Sequence, residues 1–75
     1  MNFSEALTKL KEGNQLRRKG WNSQNQYIEL QSPTPESKMT LPYLFIKTVQ
    51  GYLVPWLASQ TDLLADDWYM TTAKE

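Results

Sequence analysis

Residues 17–22, RRKGWN, place guanidinium groups, a tryptophan ring and a side-chain amide beside one another. A guanidinium binds phosphate in a forked geometry. A base that stacks on an exposed aromatic ring gains about 1–3 kcal/mol. On a strand, Arg17 and Lys19 point to one face of the sheet while Arg18 points to the other. The segment therefore suits a nucleotide, and we favour Arg18 as the arginine that joins Trp21 in a site.

The only cluster of carboxylates is formed by Asp62, Asp66 and Asp67. Paired carboxylates can transfer protons or hold a hard cation, but this spacing does not fit a calcium-binding loop. The chain has no histidine and no cysteine, which excludes Ser–His–Asp and Cys–His catalysis and the usual zinc sites. Its three scattered glycines form no phosphate-binding motif. The sequence thus predicts no catalytic residue, no metal and no cofactor.

The three tryptophans have two possible uses, as core residues of a small domain or as walls of a binding surface. Trp68, between Asp67 and Tyr69, is interpreted as core. Trp21 and Trp56 remain open between the two uses, and a site with one or two such rings and one arginine would bind a nucleotide without catalysis.

A helix and two strands are predicted in the first part of the chain. Apolar residues at i, i+3, i+4 and i+7 indicate an amphipathic helix over about residues 3–12: Phe3, Ala6, Leu7 and Leu10. Asn2 and Glu5 have the form of a capping box, with Ser4 as a rival cap, and Gly13 ends the helix. A short polar strand opens at Leu16, and residues 26–31 form a second strand. The Pro-rich residues 32–40 are predicted to be a surface loop.

The second part of the chain predicts a hairpin, a short helix and a last strand. Two apolar runs flank Gln50–Gly51, and Pro55 restricts the second run to an edge or bulged strand. Ser59 and Asp62 form a second capping box, before a turn or two of helix at residues 63–65. Residues 67–71 form the last strand, and residues 72–75 are expected to fray. The pattern predicts an α+β fold in which the N-terminal helix packs on a mainly antiparallel, twisted sheet of four to five strands.

A chain of 75 residues makes one domain, spanning residues 1–75, and buries too little surface to be more than marginally stable. Without disulfides or metals, aromatic packing and self-association remain as ways to stabilise it, so we expect a homo-oligomer. The net charge of zero argues against binding to duplex nucleic acid. Residues 1–22 hold five basic and two acidic side chains, and residues 62–75 hold one basic and four acidic. No leader or membrane-spanning run is apparent, which predicts a cytoplasmic protein.

Two blocks of the sequence resemble a family of small phage and prophage proteins. The first is MNFSEALTKLKEGNQLRRKGWN, a short helix followed by a glycine and an Arg-x-Gly-Trp-like turn. The second is VPWLASQTDLLADDW, with Pro-Trp, then Ser-x-x-Asp-Leu-Leu-Ala-x-Asp-Trp. Together they cover about half of the chain. The family includes the second type of Thoeris anti-defence proteins, phage proteins that sequester the cyclic ADP-ribose signal of a bacterial defence system.

The resemblance implies a non-enzymatic binder of a cyclic nucleotide, of the cyclic ADP-ribose type or a cyclic dinucleotide. It implies a dimer or tetramer with sites at subunit interfaces, acting in the host cytoplasm if phage-encoded. The site residues carried over are Trp21 as a stacking platform, Arg18 as a phosphate or ribose contact, Asn22 as a base or ribose partner, Trp56 as a second wall, and Gln60 and Asp62 as ribose partners. Asp62 is equally expected to cap a helix.

The chain departs from the resemblance in its middle, where many relatives have a longer segment between the first tryptophan and the hairpin. If that segment forms one wall of the pocket in relatives, the ligand here differs or its affinity is lost. A second hypothesis is a protein-binding inhibitor of a defence nuclease, of the anti-CRISPR kind, docking through aromatic and acidic surfaces. A third is a small structural phage protein, in which Trp21 serves folding alone.

Overall fold

The structure is a computed structural model that describes residues 1–71, so the expected fraying of residues 72–75 lies outside the described residues. The elements follow in the order α1 (Phe3–Lys11), β1 (Leu16–Arg18), β2 (Tyr27–Gln31), β3 (Tyr43–Lys47), β4 (Leu53–Pro55), α2 (Gln60–Leu64) and β5 (Trp68–Met70). The strands form one sheet in the order β4-β3-β2-β1-β5, and all neighbouring strands are antiparallel. The predicted α+β architecture is confirmed.

The first helix begins at the predicted capping box. The Asn2 side chain accepts the Glu5 N–H at 2.9 Å, and the Glu5 carboxylate accepts the Asn2 N–H at 3.0 Å, while Ser4 lies inside the helix. The helix ends at Lys11, one residue before the predicted end. Gly13 follows with a φ of +98°, a conformation that glycine adopts without steric cost.

The core lies between α1 and one face of the sheet. Five side chains are at most 1% exposed: Ala6, Leu10, Leu16, Ile28 and Trp68. Two of them come from the predicted apolar stripe of α1, and the other two members of that stripe, Phe3 and Leu7, are half-buried against the core. The core is small, so each of its side chains contributes a large share of the stability.

The sheet has one face toward α1 and one face away from it. In β2 the buried Ile28 alternates with Tyr27 and Glu29, as the period of a strand requires. β4 lies at the edge of the sheet, which is where a strand containing Pro55 is tolerated. The prediction that Pro55 lies in an edge strand is confirmed.

The β3–β4 hairpin turns at the predicted glycine. Gly51 has a φ of +92° and donates its N–H to the Thr48 carbonyl at 2.9 Å. No helix within residues 1–71 is long and apolar enough to cross a membrane.

Candidate functional site

The three tryptophans and Phe3 form one aromatic cluster around Trp68. Trp68 is 1% exposed, which confirms its prediction as a core residue. Around its ring lie the rings of Phe3, Trp21 and Trp56, at centroid distances of 5.3, 5.5 and 5.9 Å. Trp21 and Trp56 both meet Trp68 nearly edge to face, a favourable arrangement of aromatic quadrupoles. The two tryptophans expected to contact a ligand, Trp21 and Trp56, therefore both pack against the buried ring of Trp68.

Trp21 and Trp56, which the sequence left open between core and binding surface, pack against the core without being fully buried. Both are half-buried: each packs part of its ring on the core and leaves part of it accessible. The Trp21 indole N–H donates to Asp62 Oδ1 at 3.1 Å, so the orientation of the ring is also fixed by a polar contact. An accessible ring that is already ordered loses little rotational freedom when a ligand stacks on it.

Asp62 is the polar centre of the site. It belongs to the predicted capping box of α2, where the Ser59 hydroxyl accepts the Asp62 N–H at 3.0 Å and Asp62 Oδ2 accepts the Ser59 N–H at 3.4 Å. Its backbone carbonyl also accepts the indole N–H of Trp68 at 3.0 Å. The helix-cap interpretation of Asp62 is confirmed. The same residue joins α2 to Trp21 through its carboxylate and to Trp68 through its backbone carbonyl.

Arg18 lies between two carboxylates. Its Nη1 donates to Asp62 Oδ1 at 2.8 Å, and its Nε donates to Asp67 Oδ1 at 2.7 Å. Only 13% of the Arg18 side chain is exposed, compared with 14% for Asp62 and 28% for Asp67. One positive charge between two negative charges leaves the cluster with a net charge of −1. An incoming phosphate would therefore meet more negative than positive charge here.

The ionisation of these groups follows from the same contacts. Burial raises the pKa of Asp62, but hydrogen bonds from Arg18, Trp21 and Ser59 outweigh it and leave that pKa below its ordinary value. Hydrogen bonding to Arg18 lowers the pKa of Asp67, against a smaller opposing effect of burial. The bonds to Asp67 and Asp62 raise the pKa of Arg18. All three groups are charged at neutral pH.

The strand alternation that singled out Arg18 is present in the structure. Arg18 pairs in register with Trp68, whereas Arg17 pairs with Tyr69 on the other face. Arg17 donates its Nε–H to the Tyr69 hydroxyl at 2.7 Å, and the Lys19 ammonium lies 5.9 Å from the centroid of the Tyr69 ring. Arg17 and Lys19 are thus separated from the aromatic cluster by the sheet.

Asn22 and Gln60 complete the expected set. Both are exposed, and within residues 1–71 neither side chain makes a hydrogen bond. Asn22 follows the Trp21 turn, and Gln60 begins α2 immediately after Ser59. Their amides are free to donate to and accept from a polar ligand.

Asp67 was predicted only as one member of an acidic cluster with Asp62 and Asp66. The structure separates the three members: Asp62 and Asp67 hold Arg18, while Asp66 is exposed and its side chain makes no hydrogen bond or ion pair within residues 1–71. The signal that could have identified Asp67 is its place directly before the core residue Trp68. Residues 1–71 contain no group of three His, Cys, Asp or Glu side chains suited to a metal ion.

One concavity of about 280 Å³ lies along α1, lined by Met1, Glu5, Thr8 and Lys9. It includes none of the six expected site residues, and its volume is at the lower limit of small-molecule pockets, which measure about 300–1,000 Å³.

The chain is similar to known proteins over the whole described range. Residues 1–71 match the family described as Thoeris anti-defense 2-like domain. The sequence is also 37% identical to the protein named Thoeris anti-defense 2 of Bacillus phage SP01, over 81 residues that cover 91% of each chain. Because this alignment is longer than the 75-residue chain, the phage protein has residues that this chain lacks.

Proposed function

The chain belongs to the Thoeris anti-defense 2-like family of phage anti-defence proteins, and on that premise we propose that it sequesters a cyclic nucleotide immune signal without cleaving it. Family membership across residues 1–71 is the observation that carries the proposal. The signal is of the cyclic ADP-ribose or cyclic dinucleotide type, and the protein acts in the cytoplasm of the infected cell. A binder of this kind needs a surface for a base and partners for ribose, and it needs no catalytic group.

The aromatic cluster supports the proposal. Trp21 and Trp56 are ordered by Trp68 and remain partly accessible, so either ring can receive a base. The exposed amides of Asn22 and Gln60 and the carboxylate of Asp62 are suitable partners for base edges and ribose hydroxyls. Arg18 can offer a phosphate only the N–H groups that its hydrogen bonds to Asp62 and Asp67 leave unused.

Self-association belongs to the same proposal. Several large apolar side chains are exposed, notably Leu57 at 92% and Leu64 at 83%, and Leu53 on the edge strand at 62%. A second subunit would cover such side chains and add walls that the 8.8-kDa protomer lacks. We propose a dimer or tetramer with sites completed at its interfaces. Light scattering should give a mass above 8.8 kDa, and a monomeric mass would contradict interface sites.

The test is titration calorimetry of the purified protein against a panel of cyclic ADP-ribose isomers and cyclic dinucleotides. Tight binding, followed by recovery of the intact ligand after heat denaturation, would establish sequestration. Recovery of a cleaved product would show an enzyme, and absence of binding across the panel would favour the protein-binding inhibitor.

A matched pair of variants tests the proposed wall. Trp21→Ala should weaken binding roughly 5- to 150-fold, the equivalent of losing one stacked base at about 1–3 kcal/mol. Tyr52→Ala removes an aromatic side chain that is 69% exposed in the hairpin, and should leave affinity unchanged. Equal affinities for the two variants would remove Trp21 from the site. Melting curves of both variants show whether the Trp21 change acts through unfolding.

A further inference from the structure

The plane of the Trp21 ring is set by residues far away in the sequence. Its indole N–H donates to Asp62 Oδ1 at 3.1 Å, and the same oxygen accepts Arg18 Nη1 at 2.8 Å. The carboxylate oxygen that holds the ring is therefore itself held by Arg18.

Asp67 holds both Arg18 and the backbone that leads into Trp21. It accepts Arg18 Nε at 2.7 Å through Oδ1, and its Oδ2 accepts the backbone N–H of Gly20 at 2.8 Å. Gly20 immediately precedes Trp21, so one carboxylate anchors both the arginine and the backbone of the turn. The approach is so close that a Cβ on Gly20 would lie 2.8 Å from Asp67 Oδ2.

We propose that Arg18 and Asp67 are positioning residues, which set the orientation of Trp21 through Asp62 and the Gly20 backbone. Arg18 then acts through its fork of donors, two of which reach different carboxylates, and does not serve as a free cation for phosphate. The affinity test of this inference rests on the proposed function, whereas the spectroscopic test does not.

The spectroscopic test follows the indole N–H signals of ¹⁵N-labelled protein without any ligand, in wild type, Asp67→Asn and Arg18→Lys. Lysine keeps the charge but has no fork that bridges two carboxylates. Both variants should shift the Trp21 signal and speed its hydrogen exchange by about tenfold, as expected for the loss of one hydrogen bond of ordinary strength. Trp68, whose indole N–H donates to the Asp62 backbone, reports any general loss of stability.

Arg17→Lys is the matched control, because Arg17 is the neighbouring arginine on the opposite face. It should leave the Trp21 signal unchanged. The proposal is overturned if the Trp21 signal and exchange rate in Asp67→Asn and Arg18→Lys equal those of wild type. It is also overturned if Trp21 and Trp68 exchange faster by the same factor, which would indicate a purely structural ion pair.

The direction in which Asp67→Asn changes ligand affinity distinguishes the two possible roles of Arg18, contacting phosphate and positioning Trp21. If Arg18 contacts phosphate, Asp67→Asn frees the guanidinium and removes a negative charge, so calorimetric affinity for cyclic ADP-ribose or cyclic di-GMP should rise. If Arg18 positions Trp21, Asp67→Asn should lower affinity, in parallel with Arg18→Lys. A rise would overturn the proposal. If wild type binds neither probe, the proposed function fails for these probes, while the indole signals still decide the positioning role.

Discussion

Replacing Asp62 by alanine removes the carboxylate that accepts three hydrogen bonds, from the Arg18 guanidinium, the Trp21 indole and the Ser59 backbone N–H. A hydrogen bond to a charged group contributes about 1.5–3 kcal/mol. The three do not add fully, because Arg18 keeps Asp67, the Ser59 bond is long at 3.4 Å, and water reaches the half-buried Trp21. We therefore expect Asp62→Ala to lower the free energy of unfolding by about 2–4 kcal/mol.

This loss is a large part of the total, since a domain of 75 residues has a stability of roughly 4–11 kcal/mol. It corresponds to a fall in melting temperature of about 4–8 °C per kcal/mol. Asp62→Asn keeps an oxygen that can accept the Trp21 indole N–H but loses the charge. It should therefore lower the free energy of unfolding by about half as much as Asp62→Ala. The assay is equilibrium unfolding in urea, followed by tryptophan fluorescence and circular dichroism.

Asp66→Ala is the matched control, because it makes the same change of charge in the same segment at an exposed side chain without hydrogen bonds in residues 1–71. Its free energy of unfolding should lie within about 0.5 kcal/mol of the wild-type value. If Asp62→Ala is no less stable than Asp66→Ala, then Asp62 does not hold the site together.

Three further predictions concern acid stability, the Trp21 turn and the core. Asp62 and Asp67 have pKa values lowered by folding, so their stabilisation should be complete above about pH 4 and decline as the pH falls through the folded-state values; acid titration of Asp62→Asn should show a shallower loss than wild type. Gly20→Ala should lower the melting temperature, because the clash with Asp67 opposes the gain of about 0.4–1 kcal/mol that a compatible Gly→Ala change brings. An Asp67→Ala background should reduce this loss, leaving only the contact of the new Cβ with Arg18 Nη2 at 3.0 Å. Gly13→Ala, whose loss of stability arises from a φ of +98°, should cost the same in both backgrounds, and an undiminished Gly20 effect in Asp67→Ala would refute the clash. Leu10→Ala should cost about 2–5 kcal/mol in urea unfolding because Leu10 is fully buried, and a cost below about 1 kcal/mol would contradict its place in the core.

Local patterns were sufficient to predict most of the elements. The two capping boxes, the apolar stripe of α1 and the glycine of the hairpin each act over a few neighbouring residues, so the sequence determines them directly. The opposite directions of Arg17 and Arg18 also follow from strand geometry alone. The resemblance of the two end blocks identified the family, which the match over residues 1–71 confirms.

The sequence determined which residues were available for the site, but not which of them contact one another. Arg18 contacts Asp62 and Asp67, which lie 44 and 49 residues further along the chain. The pairing of β1 with β5 brings Asp67 to Arg18, and the position of α2 brings Asp62. Strand order depends on long-range contacts that leave no local pattern in the sequence. For that reason the sequence could propose Arg18 as a partner for phosphate, whereas the tertiary structure places its guanidinium between two carboxylates that both bind it.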